Sequence, residues 1–240
     1  MSTRVLVLWD IDRTLLYVGE TDRAVYREAF TEVVGHEPAS LPKRGTGTTM
    51  PLAVRELLLA NGVPQEGIEA SATQIVERLP LLLSDRIPAL QSTGRLMPGA
   101  RPALEAVHAH PVLIPTVVTG NLQQSATIKL SAFGLGDLVD PSIGGYASDD
   151  SHRPALVAVA QRRARTRYGI RFDRSNTVIV GDSLEDVRTG LEGGAFVIAV
   201  ASGTTPAEDL AAAGADRVLD DLQDPEALIR AILDLTGLGH

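Results

Sequence analysis

The sequence contains no cysteine. Disulfides, thiolate nucleophiles and cysteine-ligated zinc sites are therefore excluded. No apolar run approaches the ~20 residues that a membrane-crossing helix needs. The first residues lack the basic segment, apolar stretch and small-residue cleavage site of a secretory leader, so a cytoplasmic location is expected. Positive charge is also scarce: 22 Lys and Arg stand against 30 Asp and Glu, a formal charge of −8. Binding nucleic acid or an anionic membrane requires clustered cations that release counterions, and neither partner is expected. The one basic run, Arg162-Arg163-Ala164-Arg165-Thr166-Arg167, falls in a helical stretch and reads as a solvated face.

What is present is a chain of 240 residues, 44% hydrophobic, enough for one large domain or two modest ones. Its organising stretch is Val5-Leu6-Val7-Leu8-Trp9, followed at once by Asp10-Ile11-Asp12-Arg13-Thr14. A strand buried on both faces is apolar throughout rather than alternating. Ligands of open α/β sheets bind just outside the carboxyl ends of such strands. Asp10 and Asp12 therefore stand where chemistry is expected. Two acids this close repel each other unless a cation or a shared proton compensates.

After Thr14 the pattern turns helical. Tyr26, Phe30, Val33 and Val34 lie on one helical face that Gly35 closes, and a second helix runs from Met50 to Asn61 ahead of Gly62. A third helical stretch, 66–91, contains Pro80 and Pro88, which should kink or split it. No strand pattern occurs between residues 17 and 97, so a helical insert is expected there. Strand and helix then alternate. Strands are expected at 112–119, 138–143, 177–180, 196–200 and 217–219, with Pro115 forcing either a later start or a bulge in the first of them. After a loop, Arg153-Pro154 opens a further helix that ends near Gly169, with proline in its first turn. Helices between strands imply parallel pairing and a doubly wound sheet. The expected division is a core of residues 1–17 and 97–240 and a helical cap of residues 18–96.

Four loops share a location at strand carboxyl ends: Asp10 to Thr14, Thr119-Gly120-Asn121, the loop ahead of Arg153, and Gly181-Asp182-Ser183-Leu184-Glu185-Asp186. They supply carboxylates, a hydroxyl, backbone N–H groups and a cation. That set suits phosphoryl transfer, which is mostly positioning and charge neutralisation. Hard oxygen ligands suit Mg²⁺, and Asp10, Asp182 and Asp186 are its candidate holders.

These motifs, in this order around a helical insert, resemble the haloacid dehalogenase-like hydrolases, in the phosphatase branch with a helical cap. The resemblance spans the chain: D-x-D-x-T is Asp10 to Thr14, the strand ending in Ser or Thr is at Thr119, and G-D-x-x-x-D is Gly181 to Asp186. It implies that Asp10 is a nucleophile forming an aspartyl-phosphate, and that Asp12 is the acid and then the base. It also implies that the backbone carbonyl of Asp12 joins the Mg²⁺ site. Thr119, Gly120 and Asn121 would bind phosphate. The chain departs from the pattern twice. The Lys-Pro of the third motif is Arg153-Pro154, and the Gly often found after the second acid is Arg13. Arg153 would bridge nucleophile and phosphate, while Arg13 implies a shifted backbone or an extra cation near the leaving group. His152 is expected to be an ordinary loop residue.

The second acid, Asp12, argues against the dehalogenase branch. The cap loop, with Arg44 and Thr46, is the candidate substrate-binding edge. The general layout looks like that of phosphoglycolate phosphatases, and the expected partner is a small phosphorylated metabolite bound by a monomer or small homo-oligomer. Two alternatives remain at this level. One is a sugar-phosphate mutase using the same core, and the other is a non-catalytic phosphoacceptor or phospholigand-binding homologue.

Overall fold

A computed structural model gives the structure of the chain, describing residues 4–42 and 47–239. Its centre is strand β1 (Val5–Trp9), every residue of which is buried. On one side β1 pairs in parallel with β4 (Leu113–Thr119), which pairs with β5 (Gly145–Tyr146); on the other it pairs with β6 (Thr177–Gly181), then β7 (Phe196–Val200) and β8 (Arg217–Leu219). The order is β5-β4-β1-β6-β7-β8, all parallel. Successive side chains of a strand point to opposite faces, and β1 feeds two cores accordingly. Val5, Val7 and Trp9 pack with α5 (Ala100–Ala109), α6 (Gln123–Ala132) and α10 (Pro225–Leu235). Leu6 and Leu8 pack with α7 (Ala155–Tyr168), α8 (Leu184–Gly193) and α9 (Ala207–Ala212). Helices thus cover both faces of a doubly wound sheet.

The helical insert holds α1 (Gly19–Val34), α2 (Met50–Ala60), α3 (Gln65–Ser84) and α4 (Ile87–Thr93). Val54, Leu57, Ile68 and Ile75 join the same apolar cluster as Val7 and Trp9, so the core of the insert is continuous with one face of the sheet. α1 ends at Gly35, whose φ of 89° is the left-handed turn that glycine adopts freely.

The structure corrects four details of the sequence reading. A two-residue antiparallel ribbon, β2 (Leu16–Tyr17) with β3 (Arg95–Leu96), ties the two ends of the insert together; two residues are too few to show a period. α3 runs through Pro80 to Ser84, while the break falls at residues 85–86, before Pro88 in the first turn of α4. Residues 138–143 are not a strand. Asp140 accepts a hydrogen bond from the Ser142 N–H at 3.0 Å and Pro141 opens a short 3₁₀ turn, so the pairing strand is the two residues of β5 instead. Pro115 lies inside β4 without a late start. A strand residue points its C=O and N–H to the same side, and the Pro115 carbonyl faces Asp140 N–H at 3.0 Å, away from β1. The missing donor therefore costs the β1–β4 ladder nothing.

Candidate functional site

Asp10 immediately follows β1 and extends its pairing, its N–H donating to Val180 carbonyl at 2.9 Å. Thr119 ends β4, Asp182 follows β6, and Asp186 lies in the first turn of α8. Because β1 sits between β4 and β6, one end of three adjacent strands gathers these groups, and Asp10, Thr119 and Asp182 line a cavity of about 180 Å³ there. Asp10, Asp12, Asn121 and Asp182 form its floor; Tyr17 of β2 together with Arg23, Tyr26 and Met50 of the insert also line it.

Arg153, only 2% exposed, reaches this floor. One terminal nitrogen, Nη2, donates to Asp10 Oδ1 at 2.6 Å and to Asp186 Oδ1. The other, Nη1, donates to the Gly47 carbonyl at 2.5 Å. The guanidinium therefore joins the acids to the loop that leads into α2. That loop is held further by Thr49 Oγ1 donating to Ser151 carbonyl at 3.0 Å and Met50 N–H donating to Gly120 carbonyl at 2.8 Å. Gly120 is required at this seam, since a Cβ there would lie 2.6 Å from the Thr48 carbonyl oxygen.

Asp10, Asp182 and Asp186 each present an oxygen within 4.8 Å of the others, all three buried. Burial, reinforced by Asp186, pushes Asp10 well above the usual carboxylate range, with Arg153 pulling the other way. Burial and then Asp186 push Asp182 up to about 7, opposed by the Thr14 hydroxyl that donates to it at 3.1 Å. Such a set gains from any added cation.

A pH dependence follows from that electrostatics. The folded chain holds a proton on Asp182 between its ordinary 3.8 and about 7, where the unfolded chain does not. Its contribution to stability is complete below the lower value and lost as pH rises through the upper one. In chelator, the melting temperature is expected to rise as pH falls from about 8 to about 5. A melting temperature that falls over this interval would show that the fold does not hold Asp182 above its ordinary range.

Asp12 is held differently. Asn121 Nδ2 donates to Asp12 Oδ2 at 2.7 Å, and Lys129 Nζ donates to both Asp12 oxygens at 2.9 and 3.0 Å. The Asn121 side chain also meets Thr119 Oγ1 at 2.8 Å, and the Asn121 N–H donates to the same oxygen at 3.2 Å. Asn121 thus ties Asp12 to Thr119 at the cavity floor. Arg13 keeps the left-handed backbone (φ 69°) that explains glycine at this place, and its guanidinium lies 4.8 Å over the Tyr17 ring on the cavity wall. His152 is exposed, and its backbone N–H donates to Asp150 at 2.8 Å. Arg44 and Thr46 fall outside the described residues.

Lys129 and Asp22 were not singled out from the sequence. A signal existed for the first: two of the 22 Lys and Arg residues are lysines. Lys129 also lies four residues after Ser125, on a helix face shared with Ala126 and Leu130.

A family model described as HAD-hydrolase-like matches residues 153–225. No curated protein sequence matches the chain. Among solved structures, a hydrolase from Pseudomonas syringae superposes with a TM-score of 0.68 at 21% identity, over 96% of this chain and 99% of that one. A candidate phosphatase from Clostridium acetobutylicum gives 0.67 at 17%, over 97% of this chain and 100% of that one. A candidate β-phosphoglucomutase from Bacteroides vulgatus gives 0.66 at 18%, over 98% of this chain and 90% of that one. At these identities the likeness establishes the fold.

Proposed function

We propose that this chain, a haloacid dehalogenase-like hydrolase by fold, hydrolyses a small phosphate monoester by way of an aspartyl-phosphate on Asp10. The observation that carries the reading is the convergence of Asp10, Asp12, Thr119, Arg153 and Asp182 on one cavity, with Asp186 behind them bonded to Arg153. In the first displacement an Asp10 oxygen bonds to phosphorus as the ester P–O bond breaks. Asp12 gives its proton to the departing oxygen. Asp12 then takes a proton from water, whose oxygen attacks the phosphorus and releases phosphate and the Asp10 carboxylate. Thr119 hydroxyl and the Gly120 N–H would face the phosphoryl oxygens, and Arg153 would bridge nucleophile and phosphate. Thr119 is fully buried at its strand end, which fits a donor that keeps one orientation.

Three buried hard-oxygen ligands, of which Asp10 and Asp182 are pushed toward protonation by burial and then by the neighbouring Asp186, fit a divalent cation. Asp10, Asp182 and Asp186 would hold it, with the Asp12 carbonyl as a further ligand, and Mg²⁺ is the ion such ligands suit. When bound it would neutralise the approach of two anions, carboxylate and phosphate. Arg153 already neutralises Asp10 and Asp186 in part and would share them with the ion.

The test is hydrolysis of p-nitrophenyl phosphate and a panel of small phosphorylated metabolites. Turnover is expected with Mg²⁺, should fall to background in EDTA, and should return when Mg²⁺ is restored. Turnover indifferent to EDTA would remove the metal from the scheme. A second reading draws on the phosphoglucomutase-like neighbour. Interconversion of glucose 1- and 6-phosphates that outpaces hydrolysis of either would favour it. No turnover, with phosphate still bound, would favour a non-catalytic binding protein.

A further inference from the structure

The ammonium of Lys129 is fully buried, and its three N–H donors are all spent on two carboxylates. Two go to Asp12, at 2.9 and 3.0 Å, and the third to Asp22 Oδ2 at 2.8 Å. Asp22 lies in the first turn of α1, five residues beyond the β2–β3 ribbon, whereas Lys129 belongs to α6 beside the sheet. Both line the cavity. The displacement chemistry above uses neither residue.

A buried ammonium is costly alone and is retained where anions hold it. One cation between two carboxylates leaves each anion partly compensated and fixes their geometry. Lysine suits the place because three donors radiate from one small nitrogen, whereas a planar guanidinium presents its donors in a fixed fork. This chain otherwise uses arginine almost throughout: its second lysine is Lys43. Asn121 adds a further donor to Asp12 Oδ2 at 2.7 Å. Asp12 is therefore clamped in one orientation by α6 and the β4 loop, and the clamp is anchored through Asp22 to the insert.

We propose that Lys129, anchored by Asp22, is the positioning residue of Asp12 and sets the carboxyl group that serves the leaving oxygen. The assignment rests on the phosphatase reading. It makes the joint between insert and core part of the acid's alignment, so an insert displaced from the cavity would also misalign Asp12.

The experiment compares wild type, Lys129→Met and Asp22→Asn on two esters with Mg²⁺ present. Propyl phosphate has a leaving oxygen that must be protonated; 2,4-dinitrophenyl phosphate has one that departs as the anion. The ratio kcat/KM reports the first displacement and is unaffected by slow release of phosphate from Asp10. For Lys129→Met a loss of about 100-fold is expected with propyl phosphate and under about threefold with the dinitrophenyl ester, in keeping with the worth of a placed general acid. Asp22→Asn, which keeps the ammonium, should show the same selectivity at about tenfold. Equal losses on both esters, or a loss on neither, would overturn the positioning role and leave a purely structural ion pair. If Lys129→Met shows no cooperative melting, Asp22→Asn decides by the same criterion. A wild type that hydrolyses neither ester would sink the phosphatase reading itself, and the positioning role with it. A wild type active on both whose selectivity survives substitution sinks only the role of Lys129.

Discussion

Asp10→Asn is expected to lower turnover by a factor on the order of 10⁴ or more while leaving the fold as stable as before, or more so. The two halves of this result have different causes. Loss of turnover follows because an amide oxygen does not displace an alkoxide from phosphorus to give the intermediate that water can resolve. Retained stability follows from the site's electrostatics. Asp10 is buried beside Asp186, Asp182 and Asp12, and its charge is disfavoured despite Arg153. Asparagine keeps the shape and an oxygen that can accept from Arg153, and it removes one anion from a crowd of them. In chelator near neutral pH, the melting temperature should equal or exceed that of the wild type. A variant keeping more than about one per cent of turnover would place the nucleophile elsewhere. One that unfolds would show that the Asp10 charge is needed to balance Arg153.

The acids at the strand ends were legible in the sequence because each is fixed by a local pattern. An apolar strand ends, and the carboxylate follows within one to six residues, as at Asp10, Asp12, Asp182 and Asp186. The doubly wound sheet was legible for the same reason: β1, β6 and β7 are apolar runs with no competing period. Residues 138–143 misled because Leu138, Val139 and Ile143 have strand-like side chains, while the Asp140–Pro141 turn overrides them. The β2–β3 ribbon was invisible because pairing across 80 positions of sequence, Leu16 with Leu96, and 78, Tyr17 with Arg95, leaves no local trace. Lys129 was missed for a related reason. Its partners lie 117 and 107 positions away, and only the tertiary fold turns that face of α6 toward Asp12. Arg153 could be placed near the acids by its motif, but its second contact, to the Gly47 carbonyl, required the docked loop.

Arg153→Ala and Arg153→Lys should diverge widely, and the divergence measures what the guanidinium does. Among the described residues, Arg153 is the cation hydrogen-bonded to both Asp10 and Asp186. Alanine removes it and leaves buried carboxylates uncompensated, a change worth about 3–5 kcal/mol where one partner of a buried pair is lost. The loss should be largest in chelator at high pH and smaller with Mg²⁺, since an ion bound by those acids would replace the missing charge. Lysine keeps a charge that can reach the two acids, but a single nitrogen gives up the contact with Gly47. Against that loss stands a gain: Arg153 Nε is buried with no hydrogen-bond partner, a defect that costs about 1–3 kcal/mol and disappears with the guanidinium. The two effects oppose each other, so Arg153→Lys should remain within about 1 kcal/mol of wild type. Its signature should be kinetic instead. With the loop before α2 no longer tied to the acids, KM should rise by roughly three- to tenfold, the net worth of one ordinary hydrogen bond, while kcat changes little. Thermal melts with and without Mg²⁺, together with steady-state kinetics, read both quantities. If alanine melts with the wild type in chelator, the acids are protonated rather than neutralised by Arg153, and the bridge assigned to it between nucleophile and phosphate loses its electrostatic basis. If lysine lowers kcat and spares KM, the guanidinium serves the displacement itself and the Gly47 contact is incidental.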